Sequence, residues 1–195
     1  LIDADSEAAL FERVVDIAED VLALDQSVLL MERDGGLTPV GGHTDRLDEV
    51  STDAGIVGRT YNEERSFLID DAEANTDAEP ADETVKSAIS VPVGGSGVFQ
   101  VISDETDTFD ETDLELVELL VGYAEATLDR IRSEAALRES RRVIERLHTT
   151  AMELGAAETE RELLERAVDA AEDVLDLDMC KLDLREGDML VPVAE

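Results

Sequence analysis

The sequence predicts an α+β fold, and three patterns within its 195 residues carry that prediction. A helix–strand–turn–strand pattern near the start recurs near the end at a constant offset of 153 residues. Between the two copies, a pair of strands around a Gly-Gly-Ser bend reads as a hairpin. A run of apolar residues stepping by threes and fours then predicts a long coiled-coil-type helix.

The repeat is dense at its core. Leu10 to Asp25 (LFERVVDIAEDVLALD) and Leu163 to Asp178 (LLERAVDAAEDVLDLD) are identical at twelve of sixteen positions. The match runs on without a gap to Leu37, Pro39 and Val40, which face Leu190, Pro192 and Val193. Ser6 and Thr159 stand at equivalent places as helix N-caps, and Thr159 with Glu162 forms a capping box. In the first copy Leu10, Val14, Ile17, Ala18, Val21 and Leu22 share one helical face. Gln26–Met31 and Leu37–Val40 read as strands, with Asp34-Gly35-Gly36 as their turn. The second copy reaches only its second strand, Met189 to Val193, and cannot close a sheet alone. With a first residue that is not methionine, this predicts that the segment belongs to a longer chain.

After Gly42 come a polar stretch containing His43, a short helix around Gly55–Asn62, and a short strand, Ser66–Ile69. Asp70 to Thr84 is acidic and poor in large apolar residues, which predicts a mobile loop. Ser87–Val93 and Gly97–Ser103 are the hairpin strands, with Ala88, Ser90 and Pro92 on one face and Ile89, Val91 and Val93 on the other. Asp110 caps the long helix with Asp113 at its third position, and Phe109 with Leu114 is spaced as a hydrophobic staple. One apolar series runs Leu114, Val117, Val121, Ala124, Leu128, Ile131, Ala135. A second runs Leu137, Ser140, Ile144, Leu147, Ala151, Leu154, so the register slips between Ala135 and Leu137. Gly155 is the expected stop.

Composition narrows the function classes. Fifty acids against 16 bases give a formal charge of −34. Such self-repulsion destabilises a compact chain unless salt screens it. The composition resembles that of cytoplasmic proteins of salt-accumulating haloarchaea. An apolar content of 43% with clear periodicity argues against a disordered acidic chain. Nucleic-acid binding is not expected, because it needs clustered positive charge. Cys180 is the single cysteine, so no disulfide framework and no thiolate metal site is expected. No run reaches the roughly 18 apolar residues of a membrane span, and a cytoplasmic location without membrane contact is expected.

The run GIVGRTYNEERSFLIDD (Gly55 to Asp71), then SAISVPV, then GVFQVISDETDTFDETDLELVELLVGYAEATL (Gly97 to Leu128), resembles a GAF domain. It is most similar to the GAF domains repeated in haloarchaeal sensor histidine kinases and bacterio-opsin-activator-like regulators. The resemblance covers Ser6 to about Ile131, and Thr159 onward resembles the start of a second GAF repeat. It implies a GAF-like antiparallel sheet with helices on one side and a ligand pocket on the other. It also implies a homodimer formed through terminal helices that continue into a signalling helix. The expected organisation is a GAF domain over 1–131, a connecting signalling helix over 132–155, and the first part of a second GAF domain over 156–195.

The residues expected to line the pocket are Val57, Tyr61, Phe67, Ile89 and Val91, with core packing as the alternative role of each. The Asn-Lys-Phe-Asp-Glu constellation of cyclic-nucleotide-binding GAF domains cannot be assembled around Lys86, and Phe109-Asp110-Glu111 is explained by staple and cap. The complete domain has no cysteine to attach a bilin or to act as the thiolate that GAF-fold methionine sulfoxide reductases need. Cys180 reads as a small strand residue opposite Ser27. His43 stands alone in a polar loop, and His148 lacks the sequence context of a kinase phosphoacceptor. Arg130, Arg132, Arg138, Arg141, Arg142 and Arg146 interleave with Glu134, Glu139 and Glu145, which suits ion pairs along a connector. No catalytic residue, cofactor or metal is expected. The expected function is a cytoplasmic sensory module, part of a two-component or related pathway. It would dimerise and relay a small-molecule or redox signal to an output domain. A purely structural dimerisation module and a GAF-fold enzyme are the rival readings.

Overall fold

A computed structural model describes residues 4–22, 24, 26–42, 49–75, 84–175, 179–186 and 189–194. The chain divides into two compact units, Leu1–Arg132 and Ser133–Glu195. The elements of the first are α1 (Glu7–Asp20), β1 (Ser27–Arg33), β2 (Gly36–Gly42), β3 (Val50–Ser51), α2 (Gly55–Glu63), β4 (Phe67–Ile69), β5 (Ser87–Pro92) and β6 (Gly97–Ser103). The helix α3 (Glu111–Gly155) follows, and α4 (Glu160–Leu175), β7 (Leu182–Glu186) and β8 (Met189–Ala194) complete the chain.

The six strands of the first unit form one sheet in the order β3-β2-β1-β6-β5-β4, with every pairing antiparallel. Strand alternation gives this sheet two buried faces. On one face Leu29, Met31, Ile89, Val91, Phe99 and Val101 pack under Leu10, Phe11, Val14 and Ala18 of α1 and Val117, Val121, Ala124 and Leu128 of α3. On the other, Val28, Leu30, Leu37 and Val98 gather beneath Val57 and Tyr61 of α2. Beside them Ile69, Ala72 and Ala88 gather beneath Ile56. This is an α+β, GAF-like arrangement with the long helix after the sheet.

Local chemistry explains where each element begins and ends. Ser6 Oγ accepts from the Ala9 amide at 3.3 Å to cap α1. Asp34 and Gly35 take φ of 53° and 90° at the β1–β2 turn, the paired left-handed conformation that a tight hairpin needs. Asp110 Oδ1 accepts from the amides of Thr112 and Asp113 at 2.7 and 3.1 Å, while Asp113 Oδ2 reaches back to the Asp110 amide at 2.9 Å. These two backbone donors hold the Asp110 carboxyl below its ordinary value, the Asp113 amide contributing most.

Several expectations are refined. The strand β3 was not foreseen, since its two residues form an edge with no readable alternation. The acidic stretch expected as a mobile loop begins in packed structure. Ala72 is buried, its amide bonds the Lys86 carbonyl at 2.7 Å, and Asp71 Oδ1 accepts from the Glu73 and Ala74 amides. His43 lies outside the described residues, as do residues 76–83 of that stretch. Cys180 precedes β7 rather than lying within it, and its amide is held by Glu172 Oε1 at 2.8 Å.

The helix α3 passes unbroken through the expected register slip at Ala135–Leu137. Two apolar stripes explain the change. Val117, Val121, Ala124 and Leu128 are the core stripe, whereas Leu116, Leu119 and Tyr123 stand 40%, 57% and 53% exposed on the same helix. From Tyr123, two heptads lead to Leu137, one more to Ile144, and three residues to Leu147, all exposed. The second series read from the sequence therefore continues the outward stripe, and the core stripe simply ends.

In the second unit, α4 begins at Glu160, which is Glu7 displaced by 153, and Thr159 Oγ1 caps it by accepting from the Glu162 amide at 3.2 Å. Every β7–β8 partnership is a β1–β2 partnership with the same displacement. Leu182↔Ala194 answers Leu29↔Gly41, and Asp183↔Pro192 answers Leu30↔Pro39. The irregularity between Leu29 and Leu30 recurs between Leu182 and Asp183. Where Leu10 is 1% exposed beneath α3, its counterpart Leu163 is 42% exposed.

Candidate functional site

The α2 face of the sheet carries the polar side chains Ser90 and Gln100 among its apolar neighbours. Gly58 lets α2 settle onto the preceding turn: a Cβ there would lie 2.5 Å from the Thr52 carbonyl oxygen. Asn62 Nδ2 donates to that same carbonyl at 2.7 Å and ties down the other end of the helix. Glu64 closes α2 in the left-handed conformation, φ 48°. So fixed, α2 presents Thr60, fully buried, to the middle of β5. Thr60 Oγ1 donates to the Ile56 carbonyl at 2.8 Å and lies 2.7 Å from Ser90 Oγ. In the register, Ser90 pairs with Gln100 of β6 and Gln100 pairs with Val28 of β1. Ser90, Gln100 and Val28 thus form one row across the sheet, facing α2.

At the edge of this face Phe67 lies beneath two guanidinium groups, Arg59 at 5.0 Å and Arg65 at 4.5 Å from the ring centroid. Glu63 pairs with both arginines, at 3.0 and 3.6 Å. The Tyr61 hydroxyl reaches toward the Gly95 carbonyl at 3.5 Å.

Of the five residues nominated from the sequence, the structure brings Val57, Tyr61 and Phe67 to the α2 face. It sets Ile89 and Val91 on the opposite one, packed against α1 and α3. The physical reason is strand parity: Ser90 reaches Thr60, so its neighbours Ile89 and Val91 must face away. The sequence reading missed Thr60, Ser90 and Gln100. The available signal was a lone polar residue within each apolar strand, on the face shared with Ala88 and Pro92.

Among the described residues no group of three or more His, Cys, Asp and Glu converges as a metal site. Among the same residues no helix is long and apolar enough to cross a membrane. His148 is exposed on α3.

Comparison with known proteins agrees with this architecture. The family model described as the GAF domain matches residues 4–129, and the chain belongs to that family. GAF domains are typically sensory or regulatory. No curated protein matches the sequence. Among solved structures, a free methionine-R-sulfoxide reductase of Neisseria meningitidis is similar, with a TM-score of 0.61 and 18% identity over 68% of this chain and 83% of that one. The GAF domain of a phosphoenolpyruvate-protein phosphotransferase from Coxiella burnetii has a TM-score of 0.59 and 17% identity, covering 68% of this chain and 88% of its own. A methyl-accepting chemotaxis protein segment has a TM-score of 0.56 and 19% identity, covering 66% and 92%. At these identities the likeness is one of fold.

Proposed function

We propose that the chain is the cytoplasmic sensory part of a haloarchaeal signalling protein of the sensor-kinase or bacterio-opsin-activator type. In this reading two copies pair along α3, and a small molecule or redox change in the first unit is relayed through that helix to an output domain. The second unit is the opening of a second GAF domain, a reading supported by its capping, pairing register and strand irregularity at a uniform displacement of 153.

The observation that carries the proposal is the double face of α3. Its core stripe seals the sheet of the first unit, and its outward stripe offers Leu116, Leu119, Tyr123, Leu137, Ile144 and Leu147 at heptad spacing. Three-four spacing is self-complementary and suits a parallel pair of identical helices. Arg130, Ser133 and Ser140 occupy seam positions in its middle, where packing is weakest and alternative registers are cheapest. A two-state element is what a relay requires.

A structural module without a ligand is the second reading, favoured by the apolar side chains of Val28, Leu30, Leu37 and Val98 that fill part of the α2 face. Enzymatic turnover of the reductase kind is not part of the proposal, since residues 1–132 contain no cysteine. The test is thermal shift of the whole chain against a metabolite library in molar KCl. Ligand at 100 times Kd stabilises by about 2.7 kcal/mol. A shift with at least one compound is expected; a flat response throughout would leave the structural module.

A further inference from the structure

We propose that the Gly94–Ser96 turn couples α2 to α3 mechanically, with Tyr61 as its contact on one side and Arg132 as its clasp on the other. This rests on the relay reading above and names the residues through which the first unit biases its outgoing helix.

Arg132 is the last residue of the first unit, so it marks where α3 leaves the packed sheet. Its guanidinium ties α3 to two other elements. Nε donates to Glu7 Oε1 in the first turn of α1 at 2.8 Å, and Nη1 donates to Ser96 Oγ at 2.8 Å. Two residues earlier, Arg130 Nη2 donates to the Ala4 carbonyl at 3.1 Å. Farther back along α3, Glu125 lies against the same turn: a Cβ on Gly94 would stand 2.5 Å from its Oε1. The root of α3 is thus held to the start of α1 and to the β5–β6 turn.

The other side of the turn belongs to α2. The Tyr61 hydroxyl reaches the carbonyl of Gly95, the residue beside Ser96, at 3.5 Å. Glu64, which closes α2, comes to the same place: a Cβ on Gly95 would be 3.9 Å from its Oε1. The turn itself is braced. The Val93 amide donates to the Gly97 carbonyl at 2.9 Å, and the Ser96 amide donates to the Val93 carbonyl at 3.1 Å. A loop closed in this way moves as one piece, so a displacement of Gly95 by α2 carries Ser96 with it against Arg132.

The clasp is weak enough to be biased. The Arg132 and Glu7 side chains are 42% and 39% exposed, and exposed pairs of this kind shift an equilibrium by about two- to fivefold. The packing beneath has slack. A small apolar gap of about 10 Å³ lies between Val93, Leu10 of α1, and Val121, Ala124 and Leu128 of α3. A slight shift of α3 there strands no polar group. Contiguous contacts with two arrangements are what a coupling between elements needs, and a double-mutant cycle measures it.

The test is amide hydrogen exchange of the whole chain in molar KCl for wild type, Tyr61→Phe, Arg132→Gln and the double variant. Tyr61→Phe removes only the hydroxyl and keeps the packed ring. Arg132→Gln should speed exchange of the α3 amides from Leu128 to Arg132 about twofold or more. Tyr61→Phe, although on α2, should speed the same amides to a similar degree, and should add nothing in the Arg132→Gln background. The amides of Val28–Leu30 in β1 report opening of the whole unit, and Tyr61→Phe should leave them at their wild-type rates. Unmoved α3 amides in Tyr61→Phe, an equal acceleration in β1, or an undiminished effect in the Arg132→Gln background would overturn the coupling. If the chain still dimerises and a library compound still raises Tm, the relay reading survives that failure by another route; if it is monomeric and nothing raises Tm, both fall.

Discussion

Ser27 opens β1 with a fully buried hydroxyl that has no hydrogen-bond partner among the described residues. It faces the core beneath α1, paired with Val101, and Cys180 stands at the corresponding position of the repeat. Removing an unsatisfied buried hydroxyl relieves its desolvation cost. Ser27→Ala should therefore raise stability by about 1 kcal/mol in urea denaturation. A loss of that size instead would show that the hydroxyl has a partner. The Thr60–Ser90 contact predicts the opposite sign. Thr60→Val strands the Ser90 hydroxyl and should cost about 1–3 kcal/mol. Thr60→Val with Ser90→Ala should recover part of that loss, and the double-mutant cycle measures the coupling. Legibility at this scale was uneven. Strand alternation sets Ala88, Ser90 and Pro92 on one face, and apolar character alone does not separate Ile89 and Val91, which pack under α1 and α3, from the apolar residues of the α2 face. Thr60 was hidden because a helical threonine gives no sign of reaching a strand 30 residues away.

Elements were read more surely than residues, because periodicity and caps are written locally. The hairpin around Gly94–Ser96, the helix from Gly55 and the cap at Asp110 all stand within a residue or two of their expected places. Asp110 also carries a pH dependence. Its carboxyl is lowered by the Asp113 and Thr112 amides, so its contribution is present above the unfolded-state pKa and lost as pH falls through the lowered one. Asp110→Ala should lower Tm at neutral pH, and the gap from wild type should close as acid protonates the native carboxyl. A gap unchanged by acid would mean the cap acts through shape alone. What stayed hidden was the meaning of the two apolar series on α3. A linear sequence shows a break of spacing, whereas a helix with neighbours on one side shows two stripes. The repeated helices give a further contrast. Leu10→Ala, beneath α3, should cost about 2–5 kcal/mol. Leu163→Ala, 42% exposed, should cost about 1 kcal/mol or less. Hydrogen exchange in α1 and α4 reads the two separately.

At the scale of the whole molecule, the offset of 153 residues organises the account. Twelve identities in sixteen residues were visible in the sequence, and the pairing of β7 with β8 repeats that of β1 with β2. The sheet order was not visible, since the sequence does not say which hairpin lies beside which; likeness to GAF domains implies an antiparallel sheet, and the order of its strands comes from the structure. The pairing of two copies along α3 is the claim on which the relay depends. It is tested by sedimentation equilibrium of the chain in molar KCl, where screening removes the general repulsion of 50 acids. A mass of twice 21.2 kDa is expected for wild type, and the single-chain mass for Ile144→Glu with helix content retained. A wild-type chain that stays at 21.2 kDa at high concentration, or an Ile144→Glu dimer as tight as wild type, would contradict it.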